Sequence, residues 1–191
     1  MSETMIEGIE YGPLAGFVGH WEGDKGVDKA PEPEGEERNL YFETMMFEAI
    51  GDVTNANEQV LSVLRYHQVV YRKSNNKAFH NETGYLSWDP ATGVIMQSFS
   101  IPRGVAVVAV GGVVEDPKAP GATVVELSAA LDSPEGGVAQ SRYMLEKAKT
   151  VKFARKLTLD GDNLIYSEST LLDIYGREYD HTDMNRLKRK S

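Results

Sequence analysis

The segment that decides the fold reads VLSVLRYHQVVYR at residues 60–72, KSNNK at residues 73–77 and AFHNETGYLSW at residues 78–88. The first and third pieces are rich in β-branched and aromatic residues and partly alternate between apolar and polar, which is typical of strands. The middle piece is polar and contains two asparagines, which favours a turn. We therefore predict a β-hairpin here.

The same rhythm of strand and turn continues on both sides of this hairpin. Turns are predicted at residues 51–58, 89–93, 116–121, 133–137, 160–162 and 175–177. Residues 142–150 (RYMLEKAKT) fit a helix or a strand equally well, and the segment from Leu14 begins with a short helical turn. About ten short strands without a repeat predict an all-β fold, either a sandwich or a barrel. Their imperfect alternation favours a single antiparallel β-barrel with a partly polar interior, and a barrel of this size has room for one small ligand.

The ends of the chain and one acidic stretch deviate from this rhythm. Residues 1–13 are polar and interrupted by glycines, so we expect a lead-in there and a barrel domain over residues 14–191. Residues 28–38 (DKAPEPEGEER) combine prolines, a glycine and carboxylates. That composition predicts an exposed loop.

Composition excludes several function classes. The chain has 191 residues, no cysteine and a formal net charge of −9. The missing thiols exclude disulfides, thiolate catalysis, cysteine-based zinc sites and a haem thiolate, and the acidic charge disfavours nucleic acid. The longest apolar stretch, residues 104–114, is too short to span a bilayer. The acidic N-terminus lacks a signal-peptide pattern, so we expect a cytoplasmic protein.

Few residues offer chemistry. The histidines are His20, His67, His80 and His181, and no two have the close spacing of a zinc site. Glu82 and Glu168 fit either an acid–base pair or ordinary hydrogen-bonded strand residues. No nucleophile elbow, phosphate-binding loop or dinucleotide motif is present.

Several short motifs resemble the nitrobindin family of haem-binding β-barrels, which are similar in shape to fatty-acid-binding proteins and lipocalins. Gly19-x-Trp21-x-Gly23 resembles the family's G-x-W-x-G signature, and HNETGY at residues 80–85 resembles its H-x-E-[ST]-G-[FY] segment. IPRGV at residues 101–105 and the hairpin at residues 148–166 fit the same order. The resemblance spans roughly residues 14–189, and His181 falls where the family has its iron-binding histidine.

The resemblance implies a site and an activity. His181 is then the metal ligand to the iron of haem b, His80 and Ile101 line the opposite side of the pocket, and Trp21 helps to close the barrel. It also implies a ferric haem that reacts with nitric oxide or isomerises peroxynitrite to nitrate. Whether the chain is an enzyme, and whether it forms a homodimer, stays open at this point.

The last strand departs from the family pattern. The family has a proline before its histidine and an apolar residue after it, whereas His181 stands between Asp180 and Thr182. Period-two alternation puts Asp183 and Asn185 on the same face as His181. This polar face indicates a wetter pocket, a different ligand, or a carboxylate that orients the imidazole.

A non-enzymatic carrier of a fatty acid or another small hydrophobic ligand is the alternative, and a barrel that has lost ligand binding is a third. Carriers of anionic lipids usually place an arginine inside, so an inward Arg65, Arg103 or Arg155 favours the carrier. An open apolar slot facing His181 favours haem.

Overall fold

A computed structural model describes residues 4–190 of the chain. A small hairpin, β1 (Met5–Ile6) and β2 (Ile9–Glu10), precedes a 3-10 helix at Gly12–Phe17. The strands that follow are β3 (Gly19–Pro31), β4 (Glu36–Asn55), β5 (Gln59–Arg72), β6 (Ala78–Trp88), β7 (Ile95–Ile101), β8 (Val105–Val114), β9 (Thr123–Ala130) and β10 (Gly137–Gln140). Helix α1 (Arg142–Lys147) leads into β11 (Ala148–Asp160), β12 (Asn163–Ile174) and β13 (Arg177–Arg189).

The large sheet closes on itself. Its order is β10-β8-β7-β6-β5-β4-β3-β13-β12-β11-β9, all pairs are antiparallel, and β9 also pairs with the second half of β8. β10 covers the first half of β8, so ten strands form the closed barrel. The predicted all-β, ten-stranded barrel with a short N-terminal helical turn is confirmed.

One end of the barrel is filled by apolar side chains. Trp21, Phe17 and Leu14 are fully buried there, and the Trp21 indole N–H donates to the carbonyl oxygen of Phe17 at 2.8 Å. Gly23 is required beside this plug because a Cβ at that position would lie 2.7 Å from the carbonyl oxygen of Arg186. The 3-10 helix and its tryptophan therefore close this end.

The opposite end is less filled. The turns β3–β4, β5–β6, β7–β8 and β12–β13 lie there, together with α1. In the last of these turns Tyr175 and Gly176 have φ of 56° and 75°, as a two-residue turn of type I′ requires. The inward side chains below these turns form the cavity described next.

The acidic stretch at residues 28–38 was wrongly predicted as an exposed loop. β3 continues to Pro31 and β4 begins at Glu36, so only residues 32–35 make the turn. Asp28 and Asn39 point inward and are buried. Carboxylates and amides suit a loop and a polar barrel interior equally, so composition could not separate the two.

Two smaller boundaries also moved. β4 extends to Asn55, so the turn predicted at residues 51–58 is confined to residues 56–58. The sequence of residues 142–150 fitted a helix and a strand equally well. In the structure residues 142–147 are helical and residues 148–150 belong to a strand. The lead-in contains the hairpin β1–β2, and Tyr11 is buried in the core.

Within residues 4–190, no helix has the length and apolarity to cross a membrane.

A cavity with an apolar mouth and an acidic floor

The cavity at the less filled end has a volume of about 280 Å³. Its mouth is mainly apolar and is formed by Phe79, Ile101, Val105, Met144, Leu172 and Ile174, with Arg72 and Arg103 at the rim. Its floor is polar and includes Asp28, Gln68, Arg155, Glu168, His181 and Asp183. The inward faces of the strands around this cavity carry both apolar and polar side chains, which explains their imperfect alternation.

The structure brings three of the four predicted site residues together. His80, Ile101 and His181 all line this cavity. Trp21 does not, because it is buried at the filled end, with the Arg189 guanidinium 4.2 Å from its ring centre. This position agrees with the predicted role of Trp21 in closing the barrel. Trp21 is not part of the cavity lining.

His181 lies between two aspartates. Its Nε2 is 2.6 Å from Asp28 Oδ1 and 3.3 Å from Asp183 Oδ2. Asp183 shares the inward face of β13, and Asp28 is its direct partner across the β3–β13 ladder. Asn39 Nδ2 donates to the other oxygen of Asp28 at 2.7 Å and fixes that carboxylate.

The three groups influence each other's ionisation. Burial disfavours the charged form of Asp28, but the hydrogen bonds from His181 and Asn39 outweigh it and lower the pKa. Burial and then repulsion by Glu168 raise the pKa of Asp183 to about 7. Burial also acts against charge on His181, yet Asp28 and Asp183 raise its pKa overall. Asp28 and Asp183 therefore favour the charged form of His181 more than water does.

A second cluster surrounds a buried arginine. Arg155 donates to both oxygens of Glu82, at 2.7 and 3.2 Å, and to Glu168. Burial disfavours ionised Glu82, but the Arg155 charge and the hydrogen bonds from His80 and Arg155 together outweigh burial and lower its pKa to about 2. His80 Nε2 is 3.5 Å from Glu82, which raises the His80 pKa despite burial. Glu82 and Glu168 thus hold Arg155 in place.

A third cluster has no cation. Glu43 accepts hydrogen bonds from Gln68 at 2.6 Å, Asn185 at 2.7 Å and Tyr166 at 3.2 Å. Burial raises its pKa to about 7 in spite of these donors. The Oε1 atom of Gln68 is buried and has no hydrogen-bond partner among the described residues. A polar acceptor is therefore left open beside the cavity.

Sequence reasoning missed several of these residues. Asp28 and Asn39 lay in or beside the stretch predicted as a loop, and Gln68 stands between apolar residues in an otherwise apolar strand. A single signal was available, which is the period-two position of Asp183 relative to His181. Nothing local to Glu43, Gln68 or Arg155 marks them as neighbours.

Haem, which the resemblance implies, can be compared with this donor set. An axial histidine needs open space around its Nε2, because the porphyrin ring supplies the four ligands that encircle the iron. In this structure Asp28 and Asp183 occupy that space, within 2.6 and 3.3 Å of Nε2. The apolar mouth suits a haem face. The arrangement around His181 does not fit an axial ligand to haem iron.

Comparisons with known proteins agree with the fold. The crystal structure of Rv2717c from M. tuberculosis is similar, with a TM-score of 0.69, 22% identity, and coverage of 93% of this chain and 95% of that one. A protein of unknown function from the DUF3598 family of Nostoc punctiforme covers 93% and 98% of the two chains, but at 11% identity and a TM-score of 0.27. That second likeness is too low to support an argument. No curated protein matches the chain.

The family comparison is more specific. The model described as "THAP4-like, heme-binding beta-barrel domain" matches residues 10–189. This range contains every barrel strand and every residue of the cavity. The chain therefore belongs to the THAP4-like haem-binding β-barrel domain family.

Proposed function

We propose that this chain is a binding protein that takes a small ligand with an apolar body and a positively charged head into the cavity. The observation that carries this proposal is the acidic floor, where Asp28, Glu168 and Asp183 outnumber Arg155, below a mouth that is mainly apolar with two arginines at its rim. Apolar surface favours the body of such a ligand, and partly buried carboxylates favour a cation. About 280 Å³ limits it to a modest size.

A fatty acid fits this floor less well. Arg155 does point inward, which is the feature that favoured a carrier of anionic lipids. Its guanidinium, however, is already bound by Glu82 and Glu168. Arg65 pairs with Glu48 at the surface, and Arg103 is exposed at the rim. At the floor, no arginine among residues 4–190 is free to bind a ligand carboxylate. At the mouth, Arg72 pairs with Glu37 at 3.4 Å through one terminal nitrogen, and its buried Nε has no hydrogen-bond partner among the described residues.

Haem is the second candidate, and family membership favours it. When bound, haem would supply redox and Lewis-acid chemistry at its iron. The apolar side chains of the mouth would hold its faces, and His80 and His181 both line the cavity. Ligation by His181, and with it a reaction with nitric oxide or peroxynitrite, requires Asp28 and Asp183 to leave Nε2. Iron ligation by His181 and the reaction with nitric oxide or peroxynitrite stay predictions from the family resemblance.

The head-group preference can be measured with a matched pair of ligands. Decylamine and decanoate have the same chain length and opposite head charges. We expect decylamine to displace a neutral fluorescent probe such as 1-aminoanthracene about tenfold or more better than decanoate. Asp183→Asn should narrow that difference, whereas Asp180→Asn, on the outer face of the same strand, should leave it unchanged.

The same titration can refute the proposal. Equal binding of both ligands would show that the acidic floor does not select the head. Absence of probe and ligand binding in a folded protein would remove the cavity as a binding site.

A further inference from the structure

We propose that Asp28, His181 and Asp183 form a binding site for one divalent first-row transition-metal ion in the floor of the cavity. The inference rests on the proposed function in one respect, since both place a cation in the same cavity. It goes further by naming the ion class and its protein ligands.

The geometry of the three side chains suits a single small ion. One ligand atom from each side chain lies within 4.8 Å of the other two. His181 Nε2 is 2.6 Å from Asp28 and 3.3 Å from Asp183. Two ligands at right angles, each about 2.1 Å from an ion, are about 3 Å apart. Small side-chain adjustments therefore suffice to bring all three atoms onto one ion.

The backbone holds this arrangement firmly. His181 and Asp183 are two residues apart on one strand, so their side chains share a face. Asp28 and Asp183 are directly paired across the neighbouring strands. Asn39 binds the second oxygen of Asp28 at 2.7 Å and leaves the first oxygen directed at His181. Groups that orient a metal ligand in this way commonly strengthen metal binding.

An independent observation points to a further occupant of the cavity. Gln68 is 2% exposed and lines the same cavity, and its Oε1 accepts no hydrogen bond from any described residue. A buried acceptor of this kind is costly unless a donor reaches it. Three protein ligands leave positions on the ion open for water, and a water bound there can donate to Gln68 Oε1.

Charge and ligand type indicate which ions fit. Metal binding releases the protons of its ligands. Two carboxylates and a neutral imidazole then carry two negative charges, so a divalent ion makes the buried site neutral. Mg²⁺ and Ca²⁺ prefer oxygen ligands alone, whereas one imidazole with two carboxylates suits Mn²⁺, Fe²⁺ or Zn²⁺. The same two carboxylates that obstruct a porphyrin become ligands of a bare ion.

The experiment titrates tag-free, chelator-treated full-length protein with Zn²⁺ and Mn²⁺ by calorimetry. We expect one equivalent of ion to bind. His181→Ala and Asp183→Asn should each weaken binding about tenfold or more. His67→Ala and Asp180→Asn should not, because both residues lie on the outer face of the barrel. Co²⁺ gives a second measurement, since its visible absorption should change on binding to the wild type and not to His181→Ala.

The outcomes separate this inference from the proposed function. Failure of the wild type to bind one equivalent, or unchanged affinity in both site variants, overturns the metal site. The decylamine titration is repeated in EDTA, so that it tests the metal-free cavity alone. If decylamine binds and the ions do not, only this inference falls. If the ions bind and decylamine does not, the proposed function falls instead. Far-UV circular dichroism verifies that each variant is folded.

Discussion

At the scale of single residues, the surroundings of His181 decide which ligand the cavity can take. The sequence places this histidine where the haem-binding family has its iron ligand. The structure adds an aspartate on each side of its Nε2, at 2.6 and 3.3 Å. These carboxylates stabilise a charged imidazole, whereas iron requires a neutral one.

A hemin titration tests this at the level of one side chain. We expect that His181 does not bind the iron in the wild type. His181→Ala should therefore leave the Soret band and the affinity for hemin unchanged. Replacing Asp28 and Asp183 together by leucine frees Nε2 and makes the floor apolar, and this double variant should gain a band that His181→Ala removes. A saturable wild-type band lost in His181→Ala would instead make His181 the iron ligand that the resemblance implies.

At the scale of elements, the 3-10 helix and the start of β3 close one end of the barrel. Trp21 fills that end, and its indole N–H satisfies the carbonyl of Phe17, the last residue of the helix. Gly12, at the start of the same helix, lies against the ring of Trp88, and a Cβ there would be 2.5 Å from it. Both tryptophans therefore attach the helix to the barrel.

We expect the two tryptophans to differ in their contribution to stability. Trp21 is fully buried, so Trp21→Ala should lower the free energy of unfolding by about 3–5 kcal/mol. Trp88 is only half-buried, and Trp88→Ala should cost less. Urea unfolding of the ligand-free protein measures both. Trp21→Phe retains most of the apolar side chain but removes the hydrogen bond to the Phe17 carbonyl. This variant should lower the free energy of unfolding by about 1 kcal/mol. A larger loss for Trp88→Ala than for Trp21→Ala would contradict this description of the closed end.

At the scale of the whole molecule, the polar interior makes stability depend on pH. Burial raises the pKa of Glu43 from 4.5 to about 7 in the folded protein. A folded protein that holds this proton more tightly gains stability that is present below pH 4.5 and is lost as the pH rises to about 7. Asp183, with a pKa of about 7, acts in the same direction.

Glu43→Gln should therefore flatten the profile of unfolding free energy between about pH 4.5 and pH 7. The amide stays neutral at every pH. The share of the pH-dependent unfolding free energy that is due to Glu43, of the order of 3 kcal/mol, should therefore disappear. Glu48→Gln is the control, since this residue lies on the same strand and pairs with Arg65 at the surface. If Glu43→Gln keeps the wild-type profile, burial of Glu43 is not the cause of the dependence.

Much of the architecture was accessible from the sequence. Strands and turns follow from β-branched residues, alternation and glycine-containing turns, which are local properties of the chain. The inward position of His181, and that of Asp183 beside it, follows from the period of two within one strand. The plug formed by Trp21 was indicated by the two glycines that flank it.

The tertiary structure alone decided the chemistry of the cavity. Asp28 and His181 are 153 positions apart, and Glu82 and Arg155 are 73 apart. Each of these pairs depends on the register between strands and on barrel closure, which no local pattern encodes. Acidic and amide residues occur both in exposed loops and in polar interiors, so their presence alone does not separate the two. The sequence by itself therefore determined a closed barrel with an inward His181, and only the folded chain surrounded that histidine with carboxylates.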